Sequence, residues 1–462
     1  MFVKNKRKNG YLLFISLVSA MGGLLFGYDW VVIGGAKPFY EAYFNITGMP
    51  AMQGWVMGSA LLGCLLGVMV SGSLSDRYGR KALLTVAAAI FIIASIGTGA
   101  VDNVTWFIIY RILGGIGIGI ASNLSPMYIA EISPAAVRGR FVSINQLTIV
   151  LGILSAQVVN WLIAEPVAVG DNILASWNGQ TGWRWMFWAC AIPATLFFIM
   201  IFFIPESPRW LAGRLHYDKA GTILSRIGGD HYALTELDEI KSTLQKDRQK
   251  VNFRMLFEGH MPKILLIGIV IAAFQQWCGI NVIFNYAQEV FAAAGYGVSD
   301  ILFNIVVTGV TNLIFTFVGM YAVDRLGRRA LLLFGAAGLT CIYAILGTCY
   351  YFHVTGIAVL CLVVMAIGCY GMTLAPVVWV VLSEIFPNRI RGMAMAVATF
   401  SLWTACFVLT YTFPLLNKGL GSYGTFWLYG IICILGFIFI KTKLPETKEK
   451  SLEEIERAFE KQ

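Results

Sequence analysis

Ser75-Asp76-Arg77-Tyr78-Gly79-Arg80-Lys81 ends one long apolar run of the chain, and Val323-Asp324-Arg325-Leu326-Gly327-Arg328-Arg329 ends another, 248 residues further on. Two more landmarks recur in the same order. Glu131-Ile132-Ser133-Pro134, with Arg138-Gly139 beyond, returns 253 residues later as Glu384-Ile385-Phe386-Pro387, with Arg391-Gly392 beyond. Pro205-Glu206-Ser207 returns 240 residues later as Pro445-Glu446-Thr447. Matched landmarks at a near-constant spacing predict two halves of parallel topology, an arrangement that can rock about a shared central site.

The apolar runs between the landmarks set the solvent. The chain has 462 residues, 58% hydrophobic and 13% charged, against about 25% charged in a soluble domain; mean hydropathy is +0.73. A soluble enzyme, a disordered chain and a secreted disulfide scaffold are excluded. Twelve apolar spans fall near 11–36, 52–74, 82–101, 104–130, 140–164, 184–204, 262–291, 301–323, 330–350, 357–383, 392–416 and 423–441. The first is too long for a signal-peptide core and reads as a retained membrane helix. An even number of spans puts both termini on one side. With that side cytoplasmic, the outer loops hold only Lys37 and Lys418, Arg111 lies inside a span, Arg184 sits at an outer rim, and the other 30 of the 34 Lys and Arg fall inside. This is the positive-inside bias, so the net charge of +9 speaks for a lipid bilayer and against nucleic acid.

The expected fold is an all-α membrane protein of twelve transmembrane helices in two six-helix halves, residues 1–204 and 262–445. Between them, 205–261 reads as a cytoplasmic helical linker with short amphipathic helices at 217–226 and 233–248. The tail, 446–462, is charged, and Ser451-Leu452-Glu453-Glu454 resembles a capping box. The nine cysteines lie inside spans without a CxxC pair, and the four histidines lack ligand spacing, so neither metal nor cofactor is expected.

Charge inside hydrocarbon is costly and marks function. Asp29 lies seven residues before the expected outer end of the first span, and Arg111 seven after the outer start of the fourth. At 1.5 Å per residue both sit about 10 Å deep and are expected to pair. The guanidinium favours an ionised carboxylate while burial opposes it, which suits a group that exchanges a proton as the cavity opens and closes. Side-chain amides, which donate and accept without charge, match the hydroxyls of a neutral sugar. Gln146 and Gln157 share a face of the fifth span; Gln275, Gln276, Asn281 and Asn285 crowd the seventh, where Gly279 interrupts the helix; Asn312 lies in the eighth. At the inner ends of the spans, Arg77, Arg80, Glu131, Arg138, Arg325, Arg328, Glu384 and Arg391, joined by Glu206 and Glu446, recur in both halves. They are expected to latch the halves together while the site faces outward and to part when it opens inward.

The two Asp-Arg-x-Gly-Arg loops resemble those of the major facilitator superfamily. Pro205-Glu206-Ser207-Pro208-Arg209-Trp210, Pro445-Glu446-Thr447 and Gln275-Gln276-x-x-Gly279-Ile280-Asn281 resemble its sugar porter family. Arg111 to Gly117, Ser125 to Glu131 and Trp379 to Asn388 look especially like bacterial D-xylose–proton symporters. The resemblance runs from about Phe26 into the tail. It implies that Gln146, Gln275, Gln276, Asn281 and Asn312 contact sugar, that Trp379 stacks on it, and that Phe26, Tyr286 and Trp403 line the cavity. It also implies that an aspartate at position 29 accompanies proton coupling. Leu402 and Cys406 depart from the family's amides in the eleventh span, and Cys190 stands near a glutamate of the xylose carriers. The expectation is proton-coupled import of a pentose or hexose, D-xylose leading, by a functional monomer in a bacterial inner membrane. An uncoupled uniporter and a non-transporting sugar sensor are the alternatives; a membrane enzyme is the remotest, since no nucleophile with a base and no phosphate loop is apparent.

Overall fold

The computed structural model describes residues 6–134, 137–166, 172–246, 256–386 and 390–448. Among these residues there is no strand. In hydrocarbon each backbone N–H must be bonded within its own segment, so long apolar runs fold as helices. The first half contains α1 (Lys6–Tyr43), α2 (Pro50–Tyr78), α3 (Arg80–Ala100), α4 (Val104–Ile132) and α5 (Arg138–Ile163), followed by α6 (Trp183–Ala189) and α7 (Ala191–Ile201), which together make the sixth crossing. The linker holds α8 (Pro208–Gly213), α9 (Tyr217–Gly228) and α10 (Asp230–Lys246). The second half begins with a crossing in three pieces, α11 (Met261–Trp277), α12 (Ile280–Asn285) and α13 (Ala287–Ala292). It continues with α14 (Val298–Leu326), α15 (Arg328–Tyr351), a crossing in two pieces, α16 (Ile357–Met372) and α17 (Leu374–Ile385), and α18 (Arg391–Lys443). α18 is 53 residues long with Gly421 at φ 68°, and it holds the last two crossings on either side of that bend.

The breaks have local causes. Gly279 has φ +87° and starts α12; Tyr286 ends it at φ −122°, ψ 31°. Thr373, at φ −119°, ψ −86°, separates α16 from α17. Freed backbone groups at such breaks are tolerated only where a cavity or a neighbouring helix takes them up. The close packing that holds each half together uses glycine. A methyl group on Gly63 of α2 would come within 2.1 Å of the Ile112 carbonyl oxygen on α4, and one on Gly115 within 2.0 Å of the Ala60 carbonyl oxygen. Gly114 to Gly119 is thus a helix-packing face.

Two expectations need correction. The first span was expected to end at residue 36 with Lys37 in an outer loop; α1 continues to Tyr43, and Lys37 is 1% exposed inside it. A lysine is tolerated there because Glu41, one turn on, and Glu289 of α13 neutralise it. Asp29 accordingly lies fourteen residues from the end of α1, roughly 21 Å along that helix, while its partner Arg111 keeps the expected seven residues from the start of α4. The capping box at Ser451 and the side chain of Arg391 lie outside what is described.

The repeated landmarks form one clamp per half. Gly79, at φ 98°, turns α2 into α3, and Gly327, at φ 88°, turns α14 into α15. Glu206 accepts from the backbone N–H groups of Arg80 (3.0 Å) and Lys81 (3.2 Å). Glu446 does the same for Arg328 (2.9 Å) and Arg329 (3.0 Å). A carboxylate at a helix N-terminus satisfies orphan donors and meets the positive end of the helix dipole. Arg80 then reaches Glu131 (3.0 Å) and the Ser75 carbonyl (3.0 Å), while Ser207 donates to Glu131. In the second half Arg328 reaches Glu384 (3.0 Å) and the Val323 carbonyl (3.1 Å), and Thr447 donates to Glu384 (2.6 Å). Burial would raise the Glu446 carboxyl, but the N–H groups of Lys448, Arg328, Arg329 and Thr447 outweigh it and hold it below the usual carboxylate range. A depressed carboxyl stabilises the fold above its ordinary value and loses that contribution as pH falls through the depressed one. We therefore expect Glu446→Gln to cost about 1 kcal/mol, a cap's typical worth, in thermal melts at neutral pH. The gap from wild type should begin to narrow near the ordinary carboxylate value, about pH 4, and close only as pH falls through the depressed value of Glu446.

Candidate functional site

The side of the molecule that carries both described ends is called here the terminal side, and the opposite one the far side. Seven residues into α4 from its far-side start, α1 and α4 meet, and Arg111 Nη1 donates to Asp29 Oδ1 at 2.5 Å, both side chains being less than 10% exposed. The pair lies in the wall of a cavity that also touches Phe26, Trp30, Cys64 and, from the second half, Asn285. A second small void behind the pair is lined by Ser95, Thr98, Tyr110 and Phe187. Arg111 Nε and Asn285 Oδ1 are buried without a hydrogen-bond partner. Unpartnered buried polar atoms cost about 1–3 kcal/mol each, so they mark places where water or a polar guest is expected.

The second half supplies the amides. Gln275 donates to the carbonyls of Leu374 (3.2 Å) and Ala375 (3.3 Å), beside the break at Thr373. Gln276 donates to Gln275 (3.4 Å), and Asn281 donates to Gln276 and lies 3.8 Å from the Cys406 sulfur. Asn312 sits against Gly371, two residues before the same break: a methyl there would be 3.1 Å from its Oδ1. The row therefore runs from the α16–α17 joint, along α11 and α12, to Asn285 in the cavity. Cys406 flanks it at Asn281 as a buried thiol. Trp379 is 36% exposed on α17, and Gln146 is half-buried on α5. Gln157 has a packing position, since a methyl on Gly309 of α14 would lie 1.8 Å from its Oε1.

Aromatic rings join the halves above this row. Phe26 meets Trp403 edge-on at 5.4 Å, and Trp30 lies 6.1 Å from Trp403. Tyr286 donates to the Thr410 carbonyl at 2.6 Å. Trp30 was missed at the sequence level, although its position one turn after Phe26 and next to Asp29 was the available signal. The far side is shut. A methyl on Gly34 of α1 would be 3.0 Å from the Phe284 carbonyl oxygen, and one on Gly54 of α2 2.2 Å from that of Tyr411. Trp161 packs against Phe303 at 6.0 Å.

The charged residues expected to form an inner latch are placed as follows. Glu131 and Glu206 lie in the clamp of the first half, and Glu384 and Glu446 in that of the second. In this arrangement those contacts run within each half. Arg77 lies over the Tyr78 ring at 5.2 Å, Arg325 over that of Tyr321 at 4.2 Å, and Arg138 is exposed.

Comparison with known proteins agrees with this architecture. Residues 15–459 match the family described as Sugar (and other) transporter. The chain is 39% identical to the D-xylose-proton symporter of Escherichia coli K12, over 98% of this chain and 96% of that one. It is 38% identical to the arabinose-proton symporter of Bacillus subtilis 168, over 99% and 97%. Among solved structures, the inward-open conformation of the xylose transporter XylE from E. coli superposes with a TM-score of 0.85 at 37% identity, covering 97% of this chain and all of that one. The chain belongs to the sugar transporter family, with the major facilitator fold, and is a multi-pass membrane protein.

Because Gly34 lets two backbones touch, a bulky side chain there should hold the far side open. Gly34→Leu should retain ligand binding from that side but lose sugar counterflow at least tenfold, as read in proteoliposomes.

Proposed function

We propose that this protein is a secondary active carrier that imports a monosaccharide together with a proton by alternating access. The observation that carries the reading is the shared cavity. It puts a buried Asp29–Arg111 pair from one half against Asn285, with its unpartnered amide oxygen, from the other. Amides answer the hydroxyls of a neutral sugar, and the Phe26, Trp30 and Trp403 rings offer apolar faces to its C–H bonds. Gln146, Gln275, Gln276, Asn281 and Asn312 are assigned to sugar hydroxyls, Trp379 to stacking, and Tyr286 to the far wall. D-xylose is the leading guest, the sugar named for the E. coli relative.

The positive-inside bias favours both termini in the cytoplasm, and the bacterial relatives favour an inner membrane. The terminal side is then inside, and the shut far side makes this the state that serves the cytoplasm. One chain contains both halves and the whole cavity, which favours a functional monomer in the bilayer. The substrate is moved unchanged, so the protein is a carrier and not an enzyme, and its coupling ion is the proton. When the far side opens, water reaches Asp29 and a proton binds its carboxylate, loosening Arg111 and favouring the occupied carrier's turn inward. In that outward state the inner ends of the two halves meet, and Arg77, Glu131, Arg138, Glu206, Arg325, Glu384, Arg391 and Glu446 are the latch. An uncoupled carrier of the same sugars has no use for a carboxylate buried against a guanidinium.

In proteoliposomes with an inward proton gradient of one pH unit, wild type should concentrate labelled D-xylose up to about tenfold, the free energy of one proton per sugar. Asp29→Asn should still exchange sugar yet reach only the outside concentration. Gradient-driven accumulation by that variant would refute coupling at Asp29.

A further inference from the structure

Beyond Asp29, the far seal contains a second set of ionisable groups. Lys37 of α1 is 1% exposed and Glu41 is 5% exposed. Lys37 Nζ lies 2.8 Å from Glu41 Oε1 and also binds Glu289 Oε1 on α13, across the seam between the halves. Gln53 of α2 donates to the other oxygen of Glu41 at 2.9 Å. The remaining oxygen of Glu289, Oε2, is buried without a partner. Lys37 also sits over the Tyr286 ring at 5.6 Å. Tyr40, one residue from Glu41 on α1, is fully buried with its hydroxyl unpartnered. Asp29 and Arg111 neutralise each other, so the charge count at the seal rests on three groups: one cation and two carboxylates.

With all three ionised, closing the seal gathers a net charge of −1 where α1 and α13 meet, with Lys37 and Glu41 buried and the Glu289 side chain 26% exposed although its Oε2 is covered. An unbalanced charge in such surroundings costs several kcal/mol, whereas a neutral carboxyl costs far less. We propose that Glu289, with Lys37 and Glu41, is a second proton-binding site, located in the far gate and filled as the gate closes. The proton comes from water on the far side and bonds to Glu289 Oε2, while Oε1 keeps Lys37. When the gate opens, α13 parts from α1, Glu289 regains water and the proton leaves by the same route. α13 is a separate six-residue piece hinged at Tyr286, so it can move without unwinding the rest of the crossing. The inference rests on the alternating-access reading above, but not on Asp29 as the coupling group.

The test measures the gate itself. Spin labels at Leu174→Cys and Val354→Cys, exposed far-side positions in opposite halves, report gate distance in the full chain, its native cysteines replaced, in sugar-free lipid nanodiscs. All measurements are made in an Asp29→Asn, Arg111→Gln background, which removes both charges of the central pair and leaves the charge count at the seal unchanged. Lowering the pH from 8 to 5 should convert open to closed carriers, with the ratio changing about tenfold per pH unit at its steepest, the slope for one proton. Adding Glu289→Gln should flatten the dependence and leave the gate mostly closed. Adding Lys37→Met, which leaves two carboxylates without a cation, should move the midpoint up by at least one pH unit. A pH-independent gate in the background chain overturns the proposal, as does an unchanged profile in the Glu289→Gln chain or an unmoved midpoint with Lys37→Met. Failure of the Asp29 reading appears separately, as gradient-driven accumulation by Asp29→Asn alone.

Discussion

A carboxylate and a guanidinium held 2.5 Å apart in the middle of an apolar bundle constrain everything around them. Neither charge survives alone in that surrounding. α1 and α4 must therefore stay in register, and the glycine face that packs α4 on α2 keeps Arg111 at a fixed height. The pair also needs a polar neighbour, and the cavity provides one from the opposite half. A group that must be paired when dry and free to exchange when wet suits a molecule whose cavity is alternately closed and opened.

The two halves share a scaffold but divide the chemistry. Their repeated landmarks build the same clamp twice: a glycine turn, a carboxylate capping the next helix, and an arginine–glutamate pair closing the loop. Those contacts belong to the fold of each half. The cavity is asymmetric. Charge comes from continuous helices of the first half, and amides come from the broken helices α11–α12 and α16–α17 of the second. Broken helices free carbonyls, and Gln275 spends its amide on two of them. The amide row is thus held in place by the same breaks that let the second half flex.

Much of this was legible before the structure. The twelve crossings followed from apolar length, and the repeat from three landmarks whose spacing hardly varies. The Asp29–Arg111 encounter followed from cost and from matching depth, because an intramembrane charge needs a partner at its own height. Gly279 announced its own break. Other features were hidden for physical reasons. Lys37 read as a loop residue because a local window sees one lysine, while half of its compensation lies 252 residues away on Glu289. The joint at Thr373 lies between Gly371 and Pro376; the proline leaves the Met372 carbonyl without its helical donor, but neither residue shows that the helix divides there. The clamps within each half were not legible, because a sequence shows which charges recur, not which of them turn toward one another in a given state.

α1 carries both ionic sites, with Lys37 eight residues beyond Asp29, about 12 Å along one helix. Pro38 lies within α1 just after Lys37, where a proline removes one backbone donor and loosens the last turns. The helix is nevertheless continuous from the cavity to the seal. A displacement that separates Lys37 from Glu289 therefore also displaces Asp29 against Arg111 and Asn285. Sealing the far side and drying the central pair become one mechanical event. A sugar that bridges the amides of α11–α12 to the wall of α1 pulls on the same helix. Guest, gate and carboxylate thus meet on α1, which makes that helix the element through which binding energy reaches the proton.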